Sequence, residues 1–140
     1  MPTYSASREL LAPRADVWAF LSEPFNLPDW WPGIGGVQPD RRGFAPGARW
    51  QVVGDSRPSL LRKPHLTGIL LVLAIEQYER FAFQLTAERL DVELRLSEPE
   101  PKRTLAQLTV SGPALVGLRR SLPGKALTRL HALVQTAADL

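Results

Sequence analysis

From Leu90 to Ser97 the chain alternates residue by residue, with Leu90, Val92, Leu94 and Leu96 set against Asp91, Glu93, Arg95 and Ser97. Successive side chains of a strand point to opposite faces, so this stretch predicts a strand with one dry face and one wet face. From Pro113 onward the spacing becomes helical: Leu115, Leu118, Leu122, Ala126, Leu127, Leu130, Leu133 and Val134 fall on one stripe. A one-faced sheet and a one-faced helix each need an apolar partner. Each is the obvious partner of the other.

The remaining elements follow from punctuation and period. Thr3 to Leu11 reads as a strand with imperfect alternation. Pro13 suits a first helical position, and Val17, Trp18, Phe20 and Leu21 give a short amphipathic helix over Pro13 to Leu21. Ser22 is a good N-cap for a second short helix reaching Trp30. Gly33 to Gly36 reads as a turn, followed by strands over Val37 to Arg42 and Ala48 to Val53, joined by the turn-rich Gly43-Phe44-Ala45-Pro46-Gly47. Asp55 to Thr67 reads mainly as loop. Strands are then expected at Gly68 to Gln77, Arg80 to Glu88, Leu90 to Ser97 and Thr104 to Ser111. Pro123-Gly124 falls inside the helical stripe, where proline predicts a kink or break. Strands joined by short turns pair antiparallel, so the class is α+β.

Bulk properties bound the function. At 140 residues and 44% hydrophobic, the chain is suited to one domain over residues 1–140 with a sizeable core. With no cysteine there is no disulfide framework and no thiolate metal site, which fits a cytoplasmic location. Met1 to Ser5 has neither a basic nor an apolar run, so no secretory signal is expected. The apolar stretch Ile69 to Ile75 is too short to span a bilayer, and integral membrane association is not expected. The net charge of +3 is spread over scattered pairs such as Arg41-Arg42 and Arg119-Arg120. That is not the clustered basic face of a nucleic-acid binder.

Residues 11 to 50 carry a resemblance. Leu11-Ala12-Pro13-Arg14-Ala15-Asp16-Val17-Trp18, the Glu23-Pro24 step, Asp29-Trp30-Trp31-Pro32-Gly33 and Gly47-Ala48-Arg49-Trp50 are similar to a signature of bacterial helix-grip proteins. That superfamily includes START lipid-transfer domains, birch-pollen-allergen-like proteins and the polyketide cyclase/dehydrase group. The resemblance implies a curved antiparallel sheet of six to seven strands around a long C-terminal helix, with two short helices after the first strand. It also implies an apolar pocket between sheet and helix. By parity the pocket's inner wall would be Phe81, Phe83, Leu85, Val92 and Leu94, with Leu118, Leu122, Leu127 and Leu130 as its lid. Trp30 or Trp31 would stand near the entrance, with Trp50 and His131 as further ligand-binding candidates. The same residues could instead meet and fill the space.

Catalytic machinery is not visible. His65 and His131 are the only histidines and lie far apart, so no metal site is expected. Gly33-Ile34-Gly35-Gly36 lacks the spacing of a dinucleotide loop, no Gly-x-Ser-x-Gly occurs, and nothing calls for a cofactor. Asp91 and Glu93 fall on the face opposite Leu90, Val92 and Leu94, so they read as solvated and not as a catalytic dyad. The polar residues that could be buried are Arg49, Gln51 and, with the opposite register, Gln84 or Thr86. Three functional classes follow. The leading one is a carrier of an apolar or amphipathic small molecule, lipid- or polyketide-like. A cyclase/dehydratase-like enzyme would need a polar group inside the pocket, and a protein-interaction module of the chaperone-activator kind would need an exposed apolar patch.

Overall fold

The computed structural model describes residues 2–54, 66–113 and 120–138. Seven strands form one antiparallel sheet: β1 Thr3–Leu10, β2 Ile34–Gln38, β3 Arg49–Gly54, β4 Leu66–Glu76, β5 Arg80–Leu85, β6 Leu90–Glu100 and β7 Arg103–Ser111. They lie in the order β1-β7-β6-β5-β4-β3-β2. Strands β2 to β7 are a meander, while β1 closes on β7 with Thr3 opposite Ser111 and Leu10 opposite Thr104. The chain crosses from the β1 edge to the β2 edge through α1 Arg14–Leu21, a short 3-10 turn Pro24–Asn26 and α2 Leu27–Trp30. The C-terminal helix α3, Leu122–Ala138, packs on β1 and β7 and meets α2. This α+β arrangement fits the helix-grip description.

The alternation of Leu90 to Ser97 places its side chains as expected: Leu90, Val92, Leu94 and Leu96 are buried, while Arg95 and Ser97 are exposed. Ala106, Leu108 and Val110 continue the dry face on β7, and Leu70 and Val72 do so on β4. Val17, Trp18 and Leu21 bury one side of α1, while Ala126, Leu127, Leu130 and Val134 bury the sheet-facing stripe of α3.

Several boundaries differ from the sequence expectation, each for a local reason. Ser22 does not open the second helix. Its hydroxyl donates to Ala19 O, ending α1, and the cap is Glu23, whose carboxylate accepts from Phe25 N–H. Pro123 lies in the first turn of α3, where Lys125 N–H donates to Ser121 O, and a residue there has no intrahelical use for its own N–H. The helical stretch expected before it lies mainly outside the described residues. The turn expected at Gly33–Gly36 is mostly strand: β2 begins at Ile34, with a bulge between Ile34 and Gly36, and stops at Gln38 ahead of Pro39. β6 and β7 run on to Glu100 and from Arg103, so the expected loop shrinks to a tight turn. A register shift between Ser97 and Glu100 accommodates Pro99, which has no N–H for the ladder. β5 ends at Leu85, because Thr86 turns the chain: its hydroxyl and its N–H both donate to Ile69 O. Ala87, in that turn, is exposed. Opposite that turn Gly68 has φ 131°, and a Cβ there would come within 2.7 Å of Ala87 Cβ, so glycine is required. The loop expected over Asp55 to Thr67 lies mainly outside the described residues.

Candidate ligand site on the inner face of the sheet

The inner face carries rings. Phe81 and Phe83, on β5, are neighbours at 5.0 Å between centroids. Strand parity aims both inward. Trp31, ending α2, meets Phe83 edge-on at 5.6 Å and Trp30 at 5.8 Å. Trp50 on β3 lies 6.1 Å from Phe81. On the other side Phe44, from the loop joining β2 and β3, reaches Phe81 at 4.8 Å and Trp18 of α1 at 5.6 Å. Trp18 in turn meets Tyr78 at 6.3 Å, in the turn between β4 and β5. A continuous aromatic row therefore runs from Tyr78, 39% exposed, to Trp30, 1% exposed. Edge-to-face contacts of this kind add about 0.5–1.5 kcal/mol per pair beyond the area they bury.

The residues expected at the pocket are placed as follows. Trp30, Trp31, Trp50, Phe81 and Phe83 are buried in the row, and Leu85, Val92 and Leu94 are buried on the strands beside it. Leu127 and Leu130 are buried on α3, Leu122 is half-buried against the core, and His131 is half-buried beside the apolar stripe. Leu118 and His65 lie outside the described residues. Sequence reasoning missed Phe44 as a site residue. Its neighbours Gly43, Pro46 and Gly47 mark a turn, and a lone aromatic in a turn gives no periodic signal.

Polar groups are scarce on this side. Among the described residues the buried polar side chain is Thr104, whose hydroxyl donates to Ala12 O at 2.8 Å. Thr104→Val keeps the shape and strands that carbonyl, so it is expected to lower the unfolding free energy by about 1–3 kcal/mol. Thr104→Ser, which keeps the hydroxyl, should recover most of the loss in the same urea titration. Arg49, Gln51 and Thr86 are exposed, so none supplies a buried polar group, and Gln84 is half-buried on the outer face.

The outer face carries paired charges, while on the helix side Arg8 of β1 donates to Thr128 of α3 at 3.3 Å. Gln84 donates to Asp91 at 3.0 Å, Arg80 bridges Glu93 and Glu76, and Arg95 pairs with Glu93 as well. Partial burial works against the Glu93 charge, but the hydrogen bonds from Arg95 and Arg80 outweigh it and hold its carboxyl below the ordinary 4.5. Two open grooves lie here, one of about 430 Å³ beside Arg14, Arg95, Leu105 and Gln107, and one of about 330 Å³ beside Leu73, Arg80, Ala82 and Thr109. A cleft of about 10 Å³ touches inner-wall residues Ile34, Val52 and Leu85 and ends at Glu88. Among the described residues no cluster of three or more metal-ligating side chains forms.

Two carboxylates at the sheet ends have opposite pH signatures. Asp40 accepts from the backbone N–H groups of Arg49 and Arg42, each at 3.0 Å, and the Arg49 bond, the larger effect, helps hold it below its ordinary 3.8. A lowered folded pKa contributes stability above the unfolded value and loses it as pH falls through the folded one. Asp40→Ala should therefore lower Tm at neutral pH, with the deficit shrinking as acid protonates the wild-type carboxylate. Loss of water at the cleft pushes the Glu88 carboxyl above its ordinary 4.5. A raised carboxyl pKa makes the opposite contribution, present below the unfolded value and lost as pH rises through the folded one. Glu88→Gln should raise Tm slightly at neutral pH and leave it unchanged in acid, the effect being small because Glu88 keeps much of its surface in water. Calorimetric scans of both variants against pH check the two signs.

No family model and no curated protein matches the sequence. Solved structures do match its fold. A structural-genomics protein from Nitrosomonas europaea superposes with a TM-score of 0.71 at 19% identity, over 96% of this chain and 95% of that one. A Thermobifida fusca protein solved by NMR gives 0.70 at 16% identity, over 97% and 95%. The Aha1 protein of Colwellia psychrerythraea, solved as a dimer, gives 0.63 at 14% identity, over 97% and 96%. At these identities the likeness is one of fold. No helix of the described residues is long and apolar enough to cross a membrane.

Proposed function

We propose that this chain, as one helix-grip unit over residues 1–140, binds an apolar or amphipathic small molecule of lipid- or polyketide-like character between its sheet and C-terminal helix. The observation that carries the reading is the aromatic row from Tyr78 to Trp30. Aliphatic side chains suffice to hold a helix on a sheet, whereas a row of rings leading from the surface inward suits a ligand with apolar or aromatic surface. Binding rather than chemistry is favoured by the polar content of the described interior, one hydroxyl already spent on Ala12 O. A cyclase-like reaction needs a proton donor or acceptor within hydrogen-bond reach of its substrate. We place the activity in the cytoplasm, in keeping with a chain that has no cysteine.

A second reading, a protein-interaction module, is favoured by one feature. On β4 Ile69 and Leu73 are 36% and 47% exposed, and Leu105 on β7 is 40% exposed. The Aha1 likeness is compatible with it.

Protein purified from its native host, denatured and analysed by mass spectrometry separates the two. The carrier reading expects a stoichiometric apolar compound, and Leu127→Trp, which thrusts an indole from α3 into the interior, should reduce its occupancy severalfold while the protein stays folded. Empty protein that also takes up no apolar probe would transfer the case to the interaction module, to be pursued at the β4 face.

A further inference from the structure

Phe44 stands between two glycines held at positive φ, Gly43 at 63° and Gly47 at 86°. Both flanks are fixed. Trp50 Nε1 donates to Gly43 O at 2.7 Å, Asp40 ties the backbone of Arg42 and Arg49, and Gly47 N–H donates to Val72 O at 2.8 Å on β4. Between these anchors Phe44-Ala45-Pro46 is held by a bond from Ala48 N–H to Ala45 O, and Pro46 has no N–H to offer. The Phe44 ring touches Phe81, Trp50 and Trp18, yet Phe44 itself is only half-buried whereas Phe81 and Trp50 are each 1% exposed. The ring is thus a wedge with one edge on the core and the other in water.

We propose that Phe44 is the door of the interior, and that the ligand is a molecule with at least one aromatic ring that takes the place the Phe44 ring vacates. The proposal rests on the ligand-binding reading above. Entry past α3 would have to part Leu127 and Leu130, which are 1% and 0% exposed. Lifting Phe44 exposes part of one ring and leaves a ring-shaped slot walled by Trp18, Trp50 and Phe81. Glycine absorbs large φ/ψ changes without steric conflict, so Gly43 and Gly47 can hinge this segment while the hydrogen bonds on either side stay made. Binding then waits on the open form, whose population divides the apparent affinity.

The test uses 1-aminoanthracene, a fluorescent polycyclic amine, followed by stopped flow with the wild type, Phe44→Ala and Phe44→Leu, each first shown to be folded by near-ultraviolet circular dichroism. With the open form at roughly 0.1–10% of the molecules, removing the ring is expected to tighten binding and speed association ten- to a thousandfold. Phe44→Leu, which keeps apolar volume but no ring, should fall between. Equal association rates in all three would overturn the door and leave the pocket standing. Binding by Phe44→Ala alone, with none by the wild type even at saturating probe, would also overturn it, making Phe44 a fixed part of the core. If none of the three binds, the ligand reading fails and the door with it.

Discussion

Trp31→Ala is expected to lower the unfolding free energy by about 3–5 kcal/mol, as emptying a large buried aromatic site does. Trp31 ends α2 and is 2% exposed, with Trp30 on one side and Phe83 on the other. Its ring is therefore the joint between the helical layer and strand β5, and its removal loosens both neighbours at once. Two edge-to-face contacts are lost along with the buried area. Set against a total of about 5–15 kcal/mol for a domain, that loss is a large share of the stability. Urea titration followed by circular dichroism reads the change in midpoint. A loss under about 1 kcal/mol would mean that the row is loosely packed around Trp31.

Leu130→Ala comes next, at about 2–5 kcal/mol. Leu130 is fully buried on the stripe of α3 that includes Ala126, Leu127 and Val134. Leu133, one turn along but only half-buried against the core, is the internal control, and Leu133→Ala should cost clearly less. At roughly 3–4 °C of Tm per kcal/mol for a chain of this size, differential scanning calorimetry separates the two. Equal losses would mean that α3 is rotated about its axis relative to the face described above.

Which parts were legible in the sequence follows from how each is encoded. The clean period of Leu90 to Ser97 and the helical spacing of Leu127, Leu130 and Val134 translate directly into buried and exposed faces, because side-chain direction in a strand or helix is set by the backbone alone. Proline was harder to read. Pro13 and Pro123 both stand at helix starts, and the stretch read as helical before Pro123 lies mainly outside the described residues. Only the first hydrogen bond, Lys125 to Ser121, says where the turn begins. The tight β6–β7 turn was hidden in the same way, since Pro99 and Pro101 read as loop until a bulge makes room for them. The spatial relation of Phe44 to Trp18, separated by the 3-10 turn, α2 and β2, has no local signal of any kind.

By itself, then, the sequence determined the class of fold and the dry faces of β6 and α3. These are properties of single elements, and period and composition suffice to state them. The tertiary structure alone decided that α3 lies over β1 and β7 while rings from α1, α2 and the β2–β3 loop cover β5, and that Phe44 wedges into that row. Contacts between residues far apart in the chain depend on register, bulges and loop closure summed over many elements. No window of neighbouring residues records that sum.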